Sequence, residues 1–218
     1  MIDYTAARLN MVESQLRTTK VTDEAVLASF LAVPRERFVP AHLRSIAYID
    51  EDIPLGGGRY LMEPRVLARL LQLAAPGKSD KVLHIGCATG YATALLARMA
   101  ASTVAVECEP RLAAEARALL AEFGNGTSVV VEGRLEAGCP ERAPYDVILI
   151  DGAVAAVPET ISSQLAEGGR LVGVVKPGAG MGRATVMTRA EGMLSHRPVF
   201  DAATPYLPGM QSAPSFVF

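Results

Sequence analysis

The sequence predicts an α/β fold, a doubly wound and mostly parallel sheet preceded by a helical segment. Three observations carry that reading. From Lys81 onward, strand-type and helix-type runs alternate, which demands a parallel sheet with helices on both faces. The stretch Val82-Leu-His-Ile-Gly-Cys-Ala-Thr-Gly-Tyr91 is an apolar strand ending in Gly86, Ala88 and Gly90, with a helical pattern starting at once. That strand, tight loop and helix start brings a nucleotide close to backbone amides, and a Cβ on the glycines would hold the ligand away. Finally, Glu107 ends the next strand, 21 positions after Gly86, about where an acidic residue meets ribose hydroxyls in nucleotide-binding β-α-β units. A solvated Glu at a strand end is the alternative reading of Glu107.

The elements follow in order. Residues 5–18 carry Leu9, Val12 and Leu16 at helical spacing. Thr22, followed by Asp23 and Glu24, caps a second helix with Val26, Leu27, Phe30 and Leu31 inward, and Pro34 ends it. Residues 51–63 read as a turn-rich loop, after which Pro64 opens a helix with an apolar stripe of Val66, Leu67, Leu70, Leu71 and Leu73. Then come strand 81–85, helix 89–100, strand 103–107, helix 110–123 stopped by Gly124, and strand 127–131. A strand at 145–150, a helix at 159–166 and a strand at 170–175 follow, with two further strand-like runs from Arg183 to Met187 and from Arg197 to Asp201. One domain is expected: a helical and substrate-loop segment over 1–78, an α/β core over 79–182, and C-terminal strands over 183–218. Ligands of such sheets sit at the carboxyl ends of the strands, so the loops 86–90, 107–109, 132–135 and 151–154 should share one rim. Asp151 at that rim either faces the ligand or caps the following turn. The tail, 204–218, either covers the site or pairs with the sheet.

Composition narrows the function classes. Half of the 218 residues are hydrophobic, ample for a sizeable core. A net charge of −2 with scattered Lys and Arg leaves no electrostatic footprint for nucleic acid and no basic face for a membrane surface. Cys87, Cys108 and Cys139 lack metal-ligand spacing, and His42, His84 and His196 are far apart, so no metal site is expected. No basic-then-apolar signal opens the chain and no apolar run approaches membrane length, which makes cytoplasm, with reduced thiols, the expected compartment.

The loop chemistry separates two nucleotide-binding classes. A hydride-transfer dinucleotide fold would place glycine at 86, 88 and 91, where this chain has Gly86, Ala88 and Tyr91. The spacing Gly-x-Ala-x-Gly-Tyr instead resembles the first motif of S-adenosylmethionine-dependent methyltransferases. Through most of its length the chain resembles the protein-L-isoaspartate O-methyltransferase family. The resemblance runs through Met11-Val-Glu-Ser-Gln-Leu-Arg17, Val33-Pro-Arg-Glu-Arg-Phe-Val-Pro40 and Ile46-Ala-Tyr-Ile-Asp50. It continues through the 86–90 loop, Ala143-Pro-Tyr-Asp146, Val157-Pro158, Gln164-Leu-Ala-Glu-Gly-Gly169 and, weakly, Pro198-Val-Phe200. It implies a class I, Rossmann-like methyltransferase that uses S-adenosylmethionine, releases S-adenosylhomocysteine and methylates isoaspartyl carboxylates in damaged proteins. By resemblance the cofactor site includes Gly86, Cys87, Ala88, Thr89, Gly90, Tyr91 and Glu107, with His84, Cys108, Gly133, Arg134 and Asp151 at the same rim.

Departures from the family fall on the substrate loop. Where the family has Gly-Gln-Thr-Ile-Ser-Gln-Pro, this chain reads Gly58-Arg-Tyr-Leu-Met-Glu-Pro64, which alters the expected substrate contacts Gly58, Arg59, Tyr60, Met62 and Glu63. The family's serine, a hydroxyl beside the substrate carboxylate and the methyl donor, falls on Met62, and a thioether donates no hydrogen bond. Its second Gln falls on Glu63, a carboxylate where another carboxylate should bind. Arg59 either offsets that repulsion with a bidentate grip or is a solvated loop arginine. The acidic residue usual in the first motif is His84, read as a satisfied strand-end histidine or a cofactor contact. The usual Gly-Asp-Gly is Gly133-Arg134-Leu135, so Arg134 lacks the acceptor that the family offers to the adenine side.

A carboxylate acceptor, with a pKa near ~4, arrives ionised and needs no general base, whereas a phenol or amine would want one. Met62, by position, and Asp151 are the candidates nearest the chemistry; Asp151 and Glu63 are the two groups able to act as a base. Three functions stay open on sequence: an isoaspartyl carboxyl methyltransferase, a methyltransferase for another protein or small-molecule acceptor, and a non-catalytic S-adenosylmethionine-binding protein. Asp151-Gly-Ala-Val154 lacks the Asn/Asp-Pro-Pro-aromatic segment of amine-methylating DNA enzymes, which argues against a nucleic-acid acceptor.

Overall fold

Parallel strands need long crossovers, and from Lys81 the chain supplies them. The computed structural model describes residues 2–211. Its main sheet holds β3 (Lys81–Ile85), β4 (Ser102–Glu107), β5 (Ser128–Glu132), β6 (Tyr145–Val154), β7 (Leu165–Val175), β8 (Gly182–Ala190) and β9 (Met193–Ala202). Their order is β5-β4-β3-β6-β7-β8-β9, the first five parallel and β8 and β9 antiparallel. The chain steps outward from β3 to β5, then returns to lay β6 on the other side of β3. That reversal opens a crevice at the carboxyl ends of β3 and β6. The helices are α1 (Tyr4–Met11), α2 (Glu24–Ala32), α3 (Pro64–Ala74), α4 (Tyr91–Leu96), α5 (Pro110–Phe123) and the short α6 (Glu159–Ser162).

Alternation along β6 sends side chains to two cores. Val147 and Leu149 join the cluster built with Phe30, Phe38, Leu67, Leu71 and Tyr91 from the N-terminal segment, α3 and α4. Ile148 and Ile150 join the opposite cluster with Leu83, Ile85, Val106, Ile161 and Leu207. The second face is thus closed largely by α6, short turns and the C-terminal segment rather than by long helices.

Several expected boundaries shift, each for a local reason. The helix expected over 5–18 ends at Met11 and continues as a π turn (Val12–Leu16) and a 3-10 turn (Arg17–Thr19). Hydroxyls of Ser14, Thr18 and Thr19 bond back to carbonyls one turn earlier, competing with the regular ladder, and Lys20 closes the run at φ 70°. Asp23, not Thr22, caps α2: its carboxylate accepts from the amides of Ala25 and Val26, while the Thr22 amide is taken by Gln72. Leu31, expected inward, and Leu9, at the helical spacing of the first segment, are exposed, and Leu73 is half-buried. Residues 51–63 are more than a loop, because β1 (Ile53–Gly56) and β2 (Arg59–Leu61) pair as an antiparallel hairpin. The helix expected over 89–100 is α4, tightened into turns through Ala100. The one expected over 159–166 stops at Ser162 because Leu165 already pairs with Tyr145 in the sheet. The two terminal strand-like runs are longer than expected, forming β8 and β9.

Candidate active site at the strand ends

The loop after β3 is held by its neighbours before any ligand arrives. Gly86 and Gly90 have φ of 79° and 90°, where glycine is favoured, and Ala88 follows them into the left-handed region at 48°. The Gly86 and Cys87 amides donate to the Val106 carbonyl, and Gly90 donates to Cys87 at 2.7 Å. At Gly90, a Cβ would sit 3.2 Å from the Ala116 Cβ, so this glycine serves the close approach of α5. Several expected cofactor residues turn their side chains into the protein. Cys87 packs with Ala105 and Ala116; the Thr89 hydroxyl donates to the Phe38 carbonyl at 2.7 Å. Tyr91 is fully buried against Phe30, Phe38 and the Arg35 guanidinium.

Glu107 is fully buried, which removes the solvated reading. Its carboxylate accepts from the amides of Ala88 (2.6 Å), Cys108 (3.0 Å) and Glu109 (3.1 Å). The Gly133 amide donates to the Glu107 carbonyl, tying the third rim loop to the second. Arg134, by contrast, points outward and pairs with Glu136. Arg59 is the surprise of the rim. It is 3% exposed, its Nε lies 3.2 Å from both Glu107 oxygens, and its Nη2 donates to the Gly86 carbonyl at 2.6 Å. The solvated-loop reading of Arg59 is therefore wrong, and so is its suggested role of offsetting Glu63. Arg65 does that, with Nη2 3.1 Å from Glu63 Oε1.

Asp151 lies inside β6, which runs on through a bulge to Val154, so it does not cap a turn. Its Oδ2 sits 3.3 Å from His84 Nε2, and His84 Nδ1 meets the Thr93 hydroxyl at 2.8 Å. His84 is thus a buried, satisfied histidine. Asp151 Oδ1, also buried, has no hydrogen-bond partner among the described residues.

The altered substrate loop is tied down from beneath. Met62 is buried, and its carbonyl accepts from Arg35 Nη2 at 2.8 Å while Arg35 Nε donates to the Ala47 carbonyl at 2.7 Å. Glu63 donates its amide to Asp52 Oδ1 at 2.8 Å. Burial, then the nearby Glu63 and Asp151 charges, push the Asp52 acid up to about 6; burial also raises Glu63. Tyr60 remains exposed, and Gly58, at φ 69°, has open space where a Cβ would project. Arg35 and Asp52 were not singled out from sequence. Arg35 sits in the Val33–Pro40 string, which was read only for its family resemblance, and Asp52 lay in a stretch read only as a loop. Leu207, from the tail, was also missed: it is fully buried between Gly86 and Gly152.

Comparison with known proteins places this geometry. The family model described as Protein-L-isoaspartate(D-aspartate) O-methyltransferase matches residues 7–208. A protein-L-isoaspartate O-methyltransferase of Methylorubrum populi is 42% identical over 175 residues, 80% of this chain and 82% of that protein. One from Methanoculleus marisnigri is 41% identical over 170 residues, 78% of this chain and 77% of that protein. A solved protein-L-isoaspartate O-methyltransferase superposes with a TM-score of 0.81 at 25% identity, over 94% of this chain and 67% of that one. A Plasmodium falciparum structure in complex with S-adenosyl-L-homocysteine shares the fold, with a TM-score of 0.80 at 17% identity over 95% and 99%.

Proposed function

Given that the chain belongs to the protein-L-isoaspartate O-methyltransferase family and is an S-adenosylmethionine-dependent methyltransferase, we propose that its crevice methylates isoaspartyl side-chain carboxylates of polypeptides. The observation that carries this reading is Glu107, a buried carboxylate wrapped by three amides at the switch point beside the Gly86–Gly90 loop. The residues present fit the cofactor. It bears vicinal hydroxyls and an ammonium, and the crevice offers the Glu107 carboxylate, the Gly86 carbonyl and the unpartnered Asp151 Oδ1 as acceptors.

When bound, the cofactor supplies a methyl group on a sulfonium sulfur. Glu107 holds the ribose and Asp151 Oδ1 receives a donor. Gly86 and Gly152, lacking Cβ atoms, allow close approach, and His84 keeps Asp151 oriented. Met62 offers an apolar wall where relatives place a hydroxyl. The acceptor carboxylate needs no base, so what these residues contribute is alignment, a factor able to supply ~7–11 kcal/mol. An open cavity of about 470 Å3 runs along Glu63, lined by Lys20, Arg65, Arg69 and Phe200. Its mixed lining, in which Glu63 and Asp201 stand beside these cations, and its access to the surface suit a peptide rather than a small enclosed molecule. Among the described residues, no helix is long and apolar enough to cross a membrane.

The test is transfer from labelled S-adenosylmethionine to an isoaspartyl peptide, with its aspartyl twin as control. Label on the isoaspartyl peptide alone supports the reading. Equal labelling of both, or none by a protein that binds S-adenosylhomocysteine, removes it.

A further inference from the structure

The space above the two rim glycines is filled by the protein itself. A Cβ on Gly86 would lie 2.8 Å from Arg59 Nη2 and 2.9 Å from Leu207 Cδ2, and one on Gly152 would lie 2.6 Å from the same Leu207 carbon. Arg59 reaches there from the start of β2, just after Gly56, Gly57 and Gly58, which all have positive φ. Leu207 is delivered by residues 204–210, pinned along the end of β6. The Ala153 amide donates to Pro205, Leu207 donates back to Ala153, and Ala155 donates to Met210, at 2.8–2.9 Å. The Tyr206 hydroxyl adds a bond to the Lys176 carbonyl at 2.6 Å.

The acceptors Arg59 uses are two of the three that the cofactor reading assigns to the ligand: the Glu107 carboxylate and the Gly86 carbonyl. Three amides and Arg59 together fill the roughly four acceptor positions of the Glu107 carboxylate, so a ribose hydroxyl has to displace Arg59. We infer that Arg59 and Leu207 are built-in competitors for the cofactor site, so that Arg59 sets the affinity for S-adenosylmethionine. Cofactor entry requires Arg59 to leave Glu107 and the 204–210 segment to lift Leu207 from the glycines. The inference rests on the cofactor reading of this crevice and is independent of the identity of the methyl acceptor.

Binding of S-adenosylhomocysteine, measured by calorimetry on the full chain, tests it. Arg59→Ala and Leu207→Ala, each shown to be folded by circular dichroism, should bind at least ~10-fold more tightly than the parent, because a closed state taxes apparent affinity by its population. Arg59→Lys, which keeps the charge without the fork, should fall between. In the parent, amide exchange at Ala153 and Leu207 should accelerate when the ligand binds. Binding by the parent with Arg59→Ala no tighter, or with those amides still protected, overturns the inference and leaves the cofactor reading intact. Failure of parent and variants alike to bind overturns both.

Discussion

The Arg59–Glu107 pair can be weighed by a double-mutant cycle on the ligand-free protein. The two side chains are 3% and 0% exposed. Glu107→Gln strands a buried guanidinium, which costs ~3–5 kcal/mol. The new amide nitrogen also faces donors, because one carboxylate oxygen serves Ala88 and the other serves Cys108 and Glu109. At least one amide then loses its acceptor, for another ~1–3 kcal/mol. Arg59→Met leaves Glu107 wrapped by those amides but takes the donor from the Gly86 carbonyl, and should cost ~2 kcal/mol. In the double variant the stranded charge is gone, and the mismatched amide and the Gly86 carbonyl together cost ~4 kcal/mol. With ~6 kcal/mol for the first change, the coupling is about 4 kcal/mol. Urea unfolding of the four proteins measures it. Free energies that add to within ~0.5 kcal/mol would refute a buried, mutually dependent pair.

Asp52 should make stability depend on pH. Its acid is raised from 3.8 to about 6, so the native state favours the protonated form. The contribution is complete below about pH 4 and is lost as pH rises through about 6. Asp52→Asn, whose carbonyl still accepts from Glu63, should therefore gain ~2–3 kcal/mol on the parent between pH ~4 and ~8. A pH-independent difference in denaturant unfolding would contradict this. Arg35→Met should cost ~2–4 kcal/mol, because the buried carbonyls of Ala47 and Met62 lose a charged donor, and thermal unfolding indistinguishable from the parent would count against it. At the start of α2, Asp23→Ala should lose ~1 kcal/mol and Thr22→Ala under ~0.5 kcal/mol; equal losses would mean the cap is misassigned. Burial pushes the Cys87 thiol up, and burial with Glu107 pushes Cys108 up to about 11. Disulfide reagents near pH ~8 should thus label native protein slowly and all three cysteines in urea, and rapid native labelling of Cys87 or Cys108 would be the contrary result.

Periodicity and punctuation determined much of this protein. The β3 loop with its glycines, the acidic end of β4 and the strand–helix alternation follow from local sterics and hydrophobic spacing, and those are written in consecutive residues. The same holds for α3, opened by Pro64, and for α5, closed at Gly124. Helix ends were less legible where Ser and Thr hydroxyls competed for carbonyls, as they do after Met11, and where a strand began early, as at Leu165. What only the tertiary structure decided is who answers each buried charge. Arg59 meets Glu107 across 48 positions, His84 meets Asp151 across 67, and Leu207 settles on glycines from the far end of the chain. Charge partners of this kind leave no periodic trace, because they are set by which strand ends the sheet order brings to one rim. Glu107 was visible as a carboxylate at the right distance from Gly86; that an arginine from the substrate loop already holds it is a property of the folded chain alone.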